Sequence, residues 1–304
     1  MNPTPTVSVV MPVYNAQAHV HAAVASILAQ TLSDFEFIII DDGSYDDTPA
    51  ILDAFTDPRI YRITHTQNSG LIASLNEGFS LAKGRYIARM DADDLSKPSR
   101  FASQVAYLEE RGADICGCHF TILLPNEKAQ EQITVPLAWE NVVACLANTV
   151  PFAHGSVMLR KSFLQDQHLQ YDAHNVAEDY DLWSRMYSRG ARFGNVNEPL
   201  FVYRNHATSL SKTKAALNAR ASKRIRRDFV SSNLADCAKA FTLLCSNLAK
   251  RTPQEEVNAL MLGYRTLRAQ KEWGMPLSIK IWLAALLKAP LLVQLKTLWR
   301  IARL

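Results

Sequence analysis

The chain has 304 residues, of which 48% are hydrophobic, so it is long and apolar enough to form a globular protein of one large domain or two. Its formal net charge of +4 is unevenly spread: residues 1–211 carry 15 Lys and Arg against 24 Asp and Glu, whereas residues 212–304 carry 18 against 5. Five cysteines without the spacing of a disulfide framework, and a polar N-terminus without an apolar signal stretch, argue against export and for a reducing cytoplasm.

Strand-like apolar runs alternate with helical patterns over the first 120 residues. This βαβα order predicts an α/β fold with a Rossmann-like, mostly parallel sheet and helices on both faces, because parallel strands need crossover helices. The predicted strands are 7–11, 35–40, 60–64, 86–90 and 115–120, and the predicted helices are 18–30, 48–55, 71–82 and 97–111.

The rest of the chain predicts a connection, a second set of mixed elements and a helical end. Residues 121–155 contain three prolines and show little periodicity. From about residue 212 the pattern is helical, which leads us to predict a catalytic domain over 1–211 and a basic helical region over 212–304. The remaining predictions are a strand at 156–159, a helix at 179–189, short strands at 191–196 and 200–203, and helix breaks near residues 233, 252 and 274.

The segment 277–304 mixes apolar residues with lysines at eight-residue intervals, Lys280, Lys288 and Lys296. Its uninterrupted apolar stretches are shorter than the roughly 18 residues that a membrane-spanning helix needs. The pattern favours an interfacial amphipathic helix that contacts the anionic inner face of the cell membrane. Packing on the catalytic body or on another subunit is the alternative.

Two acidic clusters directly follow predicted strands: Asp41 with Asp42, and Asp91 with Asp93 and Asp94. In an open α/β sheet the carboxyl ends of the strands line the ligand crevice, so both clusters are candidates to face one bound molecule. Carboxylates at positions i and i+2 suit Mg²⁺ or Mn²⁺, which would hold a nucleotide diphosphate and act as a Lewis acid. The alternative for each cluster is a solvated turn that caps the next helix.

A further acidic pair, Glu178 and Asp179, stands at the start of a predicted helix. Because the N-terminal end of a helix is electropositive, Asp179 is expected to stay ionised at neutral pH. An ionised carboxylate at this place is a candidate general base for an acceptor hydroxyl. The alternative is a helix N-cap without a chemical role.

Several short motifs occur in order along the chain. They are VVMPVYN at 9–15, IDDGS at 40–44 with Asp47 and Thr48, NSG at 68–70, Ala73 with Asn76 and Gly78, AKG at 82–84, ARMDADD at 88–94 and EDYDLW at 178–183. Together, over about residues 7–210, they resemble the family 2 glycosyltransferases. The resemblance implies a GT-A fold and an inverting, hexosyltransferase-type transfer from a nucleotide-activated sugar, with Mn²⁺ or Mg²⁺ as the metal.

The resemblance also assigns roles by position. The implied role of Pro12, Tyr14, Asn15, Asp42 and Asn68 is to shape the nucleoside pocket, with Asp42 on the base. Asp91 would contact the ribose or the sugar, and Arg89 would lie near the donor sugar or the diphosphate. Asp93 would ligate the metal, and Asp179 would be the catalytic base. Three more positions match less specifically. His154 is expected near the acceptor, with a satisfied core histidine as the alternative. Arg204 and His206 are expected at the diphosphate and the metal, with a surface turn as the alternative.

A UDP-sugar is the favoured donor, and a hydroxyl of a glycan or lipid-linked molecule in surface polysaccharide synthesis is the favoured acceptor. A sugar nucleotidyltransferase is one alternative, but such enzymes need a Gly-rich phosphate loop after the first strand, where this chain has MPVYN at 11–15. A nucleic-acid-binding protein that uses the basic C-terminal helices is another. No recognised nucleic-acid motif in the sequence accompanies that charge, so no nucleic-acid partner is expected.

Overall fold

A computed structural model of the chain describes residues 4–124, 130–205, 215–246, 256–262 and 264. The chain divides into two compact units. The first comprises residues 1–135 and 152–215, and the second comprises residues 136–151 and 216–304. Residues 136–151 therefore group with the second unit, although they lie inside the predicted domain 1–211. The functional division between 1–211 and 212–304 stays a prediction.

The first unit begins with four parallel strands in the order β3-β2-β1-β4. Because the strands are parallel, their carboxyl ends lie at one edge of the sheet. The strands are β1 (Val7–Val13), β2 (Phe35–Asp41), β3 (Ile60–Thr64) and β4 (Tyr86–Arg89), and the helices between them are α1 (Val20–Leu28), α2 (Thr48–Asp53) and α3 (Leu71–Leu81).

Later elements extend this sheet in mixed directions, to the order β3-β2-β1-β4-β8-β6-β9-β5, with β7 paired to β6. Strand β8 is antiparallel to both β4 and β6, whereas β6 and β9 are parallel. The elements are β5 (Leu95–Ser96), α4 (Arg100–Arg111), β6 (Ile115–Leu123), β7 (Gln130–Ile133), α5 (Trp139–Leu146) of the second unit, β8 (Met158–Arg160), α6 (Lys161–Asp166), α7 (Glu178–Ser188) and β9 (Phe193–Arg204).

Both faces of the sheet are covered by helices. On one face, alternate strand residues such as Val9 and Phe37 pack with α1 and α4 in one hydrophobic cluster. On the other face, α3 approaches β1 and β2 so closely that a Cβ at Gly78 would meet the side chains of Val10 and Ile40. Burial of these apolar strand faces on both sides is the main stabilising contribution to the unit.

The predicted α/β fold, with its sheet covered by helices on both faces, is confirmed. Each strand and helix predicted between residues 7 and 120 is present, with ends that differ by a few residues. The two predicted strands 191–196 and 200–203 are instead the single strand β9, whose pairing with β6 shifts register beside His119. Elements β5, β7, α5 and α6 have no counterpart in the prediction, because segments of two to eight residues carry little periodicity.

The second unit is helical in the residues described. It contains α5, α8 (Ala215–Ser232), α9 (Leu234–Ser246) and a helical stretch at 256–262, so the predicted break near Asn233 is present. Lys239 lies 5.4 Å over the ring of Trp139, and Asn148 donates to the carbonyl of Asn258 at 3.2 Å. Within the described part of the chain, none of the helices has the length and apolar character needed to cross a membrane. The predicted amphipathic segment 277–304 and the breaks near 252 and 274 lie outside the described residues.

Candidate active site

Polar side chains gather at the carboxyl edge of the parallel strands in the first unit. Asn15 follows β1, Asp42 follows β2, His65 follows β3 and Asp91 follows β4. This convergence follows from the parallel order of the strands, since each strand delivers its next residues to the same crevice. The candidate site is therefore built by four separate stretches of sequence.

Asp42 is buried, with 3% of its surface exposed, and its carboxylate is held by three donors. The backbone N–H groups of Ser69 and Gly70 donate to Oδ1 and Oδ2, each at 2.8 Å, and a ring nitrogen of His65 lies 2.7 Å from Oδ1. Gly43 has a φ of +76°, and a Cβ there would lie 2.9 Å from the backbone N of Asn68. The turn after β2 thus packs directly on the loop before α3.

The other residues predicted for the nucleoside pocket surround this turn unequally. Asn15 has a φ of +48°, donates from its backbone N–H to the Ser44 hydroxyl at 2.9 Å, and accepts from the Tyr45 N–H at 3.1 Å. Tyr14 is 45% exposed beside the Tyr45 ring, and Asn68 is exposed. Pro12 lies within β1, paired with residue 40 of β2. The structure therefore brings Asn15, Asp42 and the loop around Asn68 together and leaves the Tyr14 ring accessible.

The acidic turn after β4 gathers three carboxylates. Oxygens of Asp91, Asp93 and Asp94 all lie within 4.8 Å of one another. Asp94 is buried at 1% exposure; its Oδ1 accepts the Arg204 N–H at 2.8 Å, whereas its Oδ2 accepts no hydrogen bond from any residue that the structure describes. Burial, together with the charge of Asp93, raises the pKa of Asp94 well above its usual range. An oxygen-only ligand set with one unpartnered buried oxygen fits a hard divalent cation.

Arg89, the last residue of β4, is buried at 2% exposure and forms an ion pair with Asp91. Burial lowers its pKa, and the nearby groups Tyr171, Asp94, Asp93 and Glu178 act in the opposite direction. Its Nε has no hydrogen-bond partner among the described residues. Arg89 therefore lies in the middle of the acidic groups as a buried counter-charge.

A second buried arginine supports the backbone at this place. Arg100 on α4 donates to the carbonyl of Arg89 at 2.8 Å, and its neighbour Gln104 donates to the carbonyl of Ser156 at 2.8 Å. Desolvation lowers the pKa of Arg100 to about 10. Together Arg100 and Gln104 tie the end of β4 to the turn that contains Ser156.

That turn is a short 3-10 helix, His154–Ser156, which precedes β8 where the sequence predicts a strand at 156–159. His154 Nε2 lies 2.8 Å from the Tyr171 hydroxyl, and burial lowers the pKa of His154 well below its usual range, so the ring is neutral. A Cβ on Gly155 would lie 2.7 Å from Asp91 Oδ2 and 2.6 Å from Phe201, which explains why glycine is needed there. The turn therefore packs against the pair of Arg89 and Asp91.

Asp179 lies in the first turn of α7. Its Oδ1 accepts the N–H of Tyr180 at 2.6 Å. Burial raises the pKa of Asp179, and the Tyr180 N–H and the charge of Arg89 act against that rise. The neighbouring Glu178 lies 3.8 Å from His154 Nδ1. The charge of Arg89 thus acts both on the acidic turn and on the carboxylate predicted to be the base.

Arg204 is the last residue of β9. The backbone N–H of Arg204 donates to Asp94, so this strand end is fixed to the acidic turn. His206, predicted as a metal ligand, lies outside the described residues.

Five residues of the site have no place in the sequence prediction: His65, Arg100, Gln104, Tyr171 and Glu77, whose Oε2 lies 2.7 Å from His65 Nε2. His65 directly follows β3 as Asp42 directly follows β2, so its position at a strand end also predicts a place in the ligand crevice. Tyr171 stands in an irregular segment and is fixed by Asn76, which exchanges two hydrogen bonds with its backbone at 2.9 and 3.0 Å. No periodicity marks such a residue, because its position depends on a partner 95 residues away.

Comparison with known protein families gives one match that covers more than half of the chain. Residues 8–167 match the family model described as Glycosyl transferase family 2.

Several curated bacterial proteins are similar over most of this chain. An uncharacterized glycosyltransferase of Haemophilus influenzae is 31% identical over 240 residues, which cover 75% of this chain and 74% of that protein. The putative glycosyltransferase EpsE of Bacillus subtilis is 33% identical over 218 residues, which cover 70% and 77%. The Escherichia coli protein WfaP, a UDP-Glc:alpha-D-GlcNAc-diphosphoundecaprenol beta-1,3-glucosyltransferase, is 29% identical over 217 residues, which cover 68% and 80%.

Solved structures share the fold. S. aureus TarS, residues 1–349 in complex with UDP-GlcNAc, superposes with a TM-score of 0.58 at 17% identity. The match covers 87% of this chain and 81% of the TarS chain. The mannosyltransferase PcManGT of Pyrobaculum calidifontis, in complex with GDP-Man and Mn²⁺, gives a TM-score of 0.55 at 18% identity and covers 99% and 81%. At these identities the likeness shows the fold, and the predicted GT-A architecture is confirmed.

Proposed function

The chain belongs to glycosyl transferase family 2 and is a glycosyltransferase, and from this premise we propose that it moves a sugar from a nucleoside diphosphate to a hydroxyl of a glycan or lipid-linked acceptor, with inversion. One observation carries the proposal. Buried Arg89 forms an ion pair with Asp91 of the acidic turn, and the turn that packs on this pair contains His154, whose Nδ1 lies 3.8 Å from Glu178, the residue before Asp179. Groups suited to hold a diphosphate and a group suited to deprotonate an acceptor therefore share one centre.

The donor is proposed to be a UDP-sugar. An ionised carboxylate has about four acceptor positions, and three on Asp42 are already used by Ser69, Gly70 and His65. The one position left, on Oδ2, suits the single ring N–H of uracil better than the two adjacent donors of guanine. Two UDP-sugars, those named for WfaP and for the TarS complex, support the same choice. Pro12, Tyr14, Asn15 and Asn68 are proposed to shape the rest of the nucleoside pocket.

Asp93 is proposed to ligate Mn²⁺ or Mg²⁺, with the unpartnered Oδ2 of Asp94 beside it. When bound, the metal would offset the charge of the departing diphosphate. We assign ribose or sugar contact to Asp91 and diphosphate contact to Arg204 and Arg89. His206, which lies outside the described residues, is proposed as a further metal ligand. The Mn²⁺ complex of PcManGT supports a divalent metal in this fold.

The chemical step is proposed to be a single displacement. The acceptor oxygen attacks the anomeric carbon as the bond from that carbon to the diphosphate oxygen breaks, and the electron pair leaves with the nucleoside diphosphate. Asp179 takes the proton of the acceptor hydroxyl. Burial raises the pKa of this carboxylate, so in its ionised form it is a stronger base than an exposed aspartate. Attack opposite the leaving group inverts the anomeric centre.

The acceptor is proposed to belong to surface polysaccharide synthesis at the inner face of the cell membrane, with the enzyme in the cytoplasm and peripheral to that membrane. The diphosphoundecaprenol acceptor in the name of WfaP supports a lipid-linked acceptor. Helix α8 carries exposed basic residues, Arg220, Lys223, Arg224 and Arg227, and each such charge near an anionic surface contributes about 1 kcal/mol of attraction.

A thermal-shift screen of nucleotide sugars, with and without Mn²⁺, tests the proposal. A ligand that binds the folded protein and not the unfolded chain raises the midpoint of unfolding. UDP-sugars should therefore raise the midpoint, and GDP-sugars, which the site is not expected to bind, should leave it unchanged. The UDP-dependent shift should grow when Mn²⁺ is present. Stabilisation by GDP compounds alone would refute the donor assignment.

A further inference from the structure

His65 lies between two carboxylates and contacts both. Its Nδ1 is 2.7 Å from Asp42 Oδ1, and its Nε2 is 2.7 Å from Glu77 Oε2 on α3. The side chains of His65, Asp42 and Glu77 are 18%, 4% and 39% exposed. A neutral imidazole has one N–H and one lone pair, so it satisfies only one of two such carboxylates. An imidazolium donates to both.

We propose that His65 is a positioning residue of the donor site, held as an imidazolium between Asp42 and Glu77 so that the nucleoside-binding carboxylate keeps its orientation. The inference rests on the proposed role of Asp42 in nucleoside binding. His65 links Asp42, at the end of β2, to Glu77 on α3. The backbone N–H groups of Ser69 and Gly70 link the same carboxylate of Asp42 to the loop before α3.

The charges around the ring agree with this assignment. Asp42 comes from the turn after β2 and Glu77 from α3, and both carboxylates, Asp42 foremost, raise the pKa of His65 against the opposing effect of burial. Arg62, on the strand that precedes His65, is directed to Asp53 and Asp41 instead. No described arginine or lysine forms an ion pair with Asp42 or Glu77, so the imidazolium is their cationic partner in the described structure.

The consequence for donor binding follows from charge. With His65 protonated, the three groups together carry one negative charge, and after deprotonation they carry two. After deprotonation of His65, the larger negative charge of the three groups repels an anionic nucleoside diphosphate and weakens its binding. One of the two carboxylates then also faces the lone pair of the imidazole ring. Since the pKa of His65 is raised, its contribution is present below the ordinary value and is lost as pH rises through the folded-state pKa.

The first experiment needs no ligand. Nitrogen-detected NMR of the histidine side chains in the full chain should show both ring nitrogens of His65 protonated at neutral pH, with His65→Gln used to assign the signals. Glu77→Gln is the sharper variant, because an amide also donates and is compatible with a neutral ring. In this variant the pKa of His65 should fall. A singly protonated His65 ring at neutral pH in the wild type would overturn the proposal.

The second experiment is calorimetric titration of UDP, from the ordinary histidine value of about pH 6.5 to a pH above the pKa of His65 that the NMR titration gives. The dissociation constant of the wild type should rise about threefold with pH, whereas that of His65→Gln should stay constant after correction for the titration of UDP itself. His21→Gln, which removes an exposed histidine on α1, should behave as the wild type does. A wild-type affinity without this pH dependence, with the imidazolium present by NMR, would overturn the positioning role. Absence of UDP binding at every pH would overturn the proposed function, and this role with it.

Discussion

Asp42 and Asp94 are both buried carboxylates in turns at the carboxyl edge of the same sheet, yet their surroundings differ. Asp42 accepts from two backbone N–H groups and contacts His65. Asp94 accepts one backbone N–H, from Arg204, and its second oxygen accepts nothing from the described residues. Asp42 therefore has most of its acceptor positions filled, whereas one buried oxygen of Asp94 accepts no hydrogen bond within the described part of the chain.

This contrast separates two uses of a carboxylate. A carboxylate with most acceptor positions filled is rigid and can recognise one further donor, as in a nucleobase. A cluster of carboxylates that repel one another is costly until a cation offsets their charge. Arg89 supplies part of the missing positive charge from within the protein.

The largest effect is expected at the third carboxylate of the site. Asp179→Asn should lower the rate of transfer by about a thousandfold, because the variant lacks the proposed general base. UDP affinity should stay within a factor of about two, since the donor groups are intact. Burial disfavours ionised Asp179, so the variant should unfold at the same or a higher temperature.

Asp181→Asn is the matched control, because Asp181 lies on the same helix in an ion pair with Arg185. Its transfer rate should equal that of the wild type. In the wild type, the acid limb of the pH–rate profile should lie above the ordinary aspartate value of 3.8, because the base must be ionised and burial raises its pKa. An acid limb below that value, or normal transfer by Asp179→Asn, would remove Asp179 as the base.

The comparison also predicts the cost of losing the internal counter-charge. Arg89→Met should destabilise the protein by about 3–5 kcal/mol, because it leaves buried carboxylates without their partner. Arg85→Met removes an exposed arginine paired with Glu109 and should cost at most about 1 kcal/mol. Chemical denaturation of both variants gives the difference, and equal losses would contradict the buried role of Arg89.

The acidic turn should respond to metal, and the nucleoside side should not. Asp93→Ala should weaken Mn²⁺-dependent UDP binding at least about tenfold, which is the loss seen when even an outer-shell partner is removed from a metal site. Calorimetry with UDP and uridine, each with and without Mn²⁺, separates the two sides. The uridine affinity of Asp93→Ala should equal that of the wild type. If Mn²⁺ strengthens UDP binding to Asp93→Ala as much as it does in the wild type, Asp93 is not a metal ligand.

The smallest effect is expected at Asp42, where most acceptor positions are already filled. Asp42→Asn keeps one acceptor oxygen and should weaken uridine binding about tenfold, the effect of losing one charge-assisted bond. Asp57→Asn, in the turn before β3, is the control and should bind uridine as the wild type does. A loss of Mn²⁺ dependence in Asp42→Asn would contradict the separation of the two sides.

The sequence was most informative where structure depends on near neighbours. Alternating apolar runs and helical periods place β1 to β4 and α1 to α3 within a few residues, because side-chain burial on one sheet or helix face repeats locally. Strand β5 has two residues, and it joins the sheet by pairing Leu95 with Val202 and Ser96 with Phe201 of β9. A strand this short that depends on so distant a partner has no periodic pattern in the local sequence. The residues predicted as two strands form the single strand β9 because they pair with β6 on both sides of the register shift.

The candidate site divides in the same way. Asp42, Asp91, Asp93 and Asp179 stand in short motifs next to the ends of elements, so the chain alone identifies the glycosyltransferase family and suggests the roles proposed for these residues. Which of these groups is buried, paired or left without a donor depends on residues brought from distant segments. Arg204 reaches Asp94 across 110 positions, Ser69 reaches Asp42 across 27, and Arg100 and Gln104 fix the turn beside Arg89. Local sequence thus specifies the charges, and long-range packing sets their desolvation and their partners, which are the quantities that decide pKa and binding.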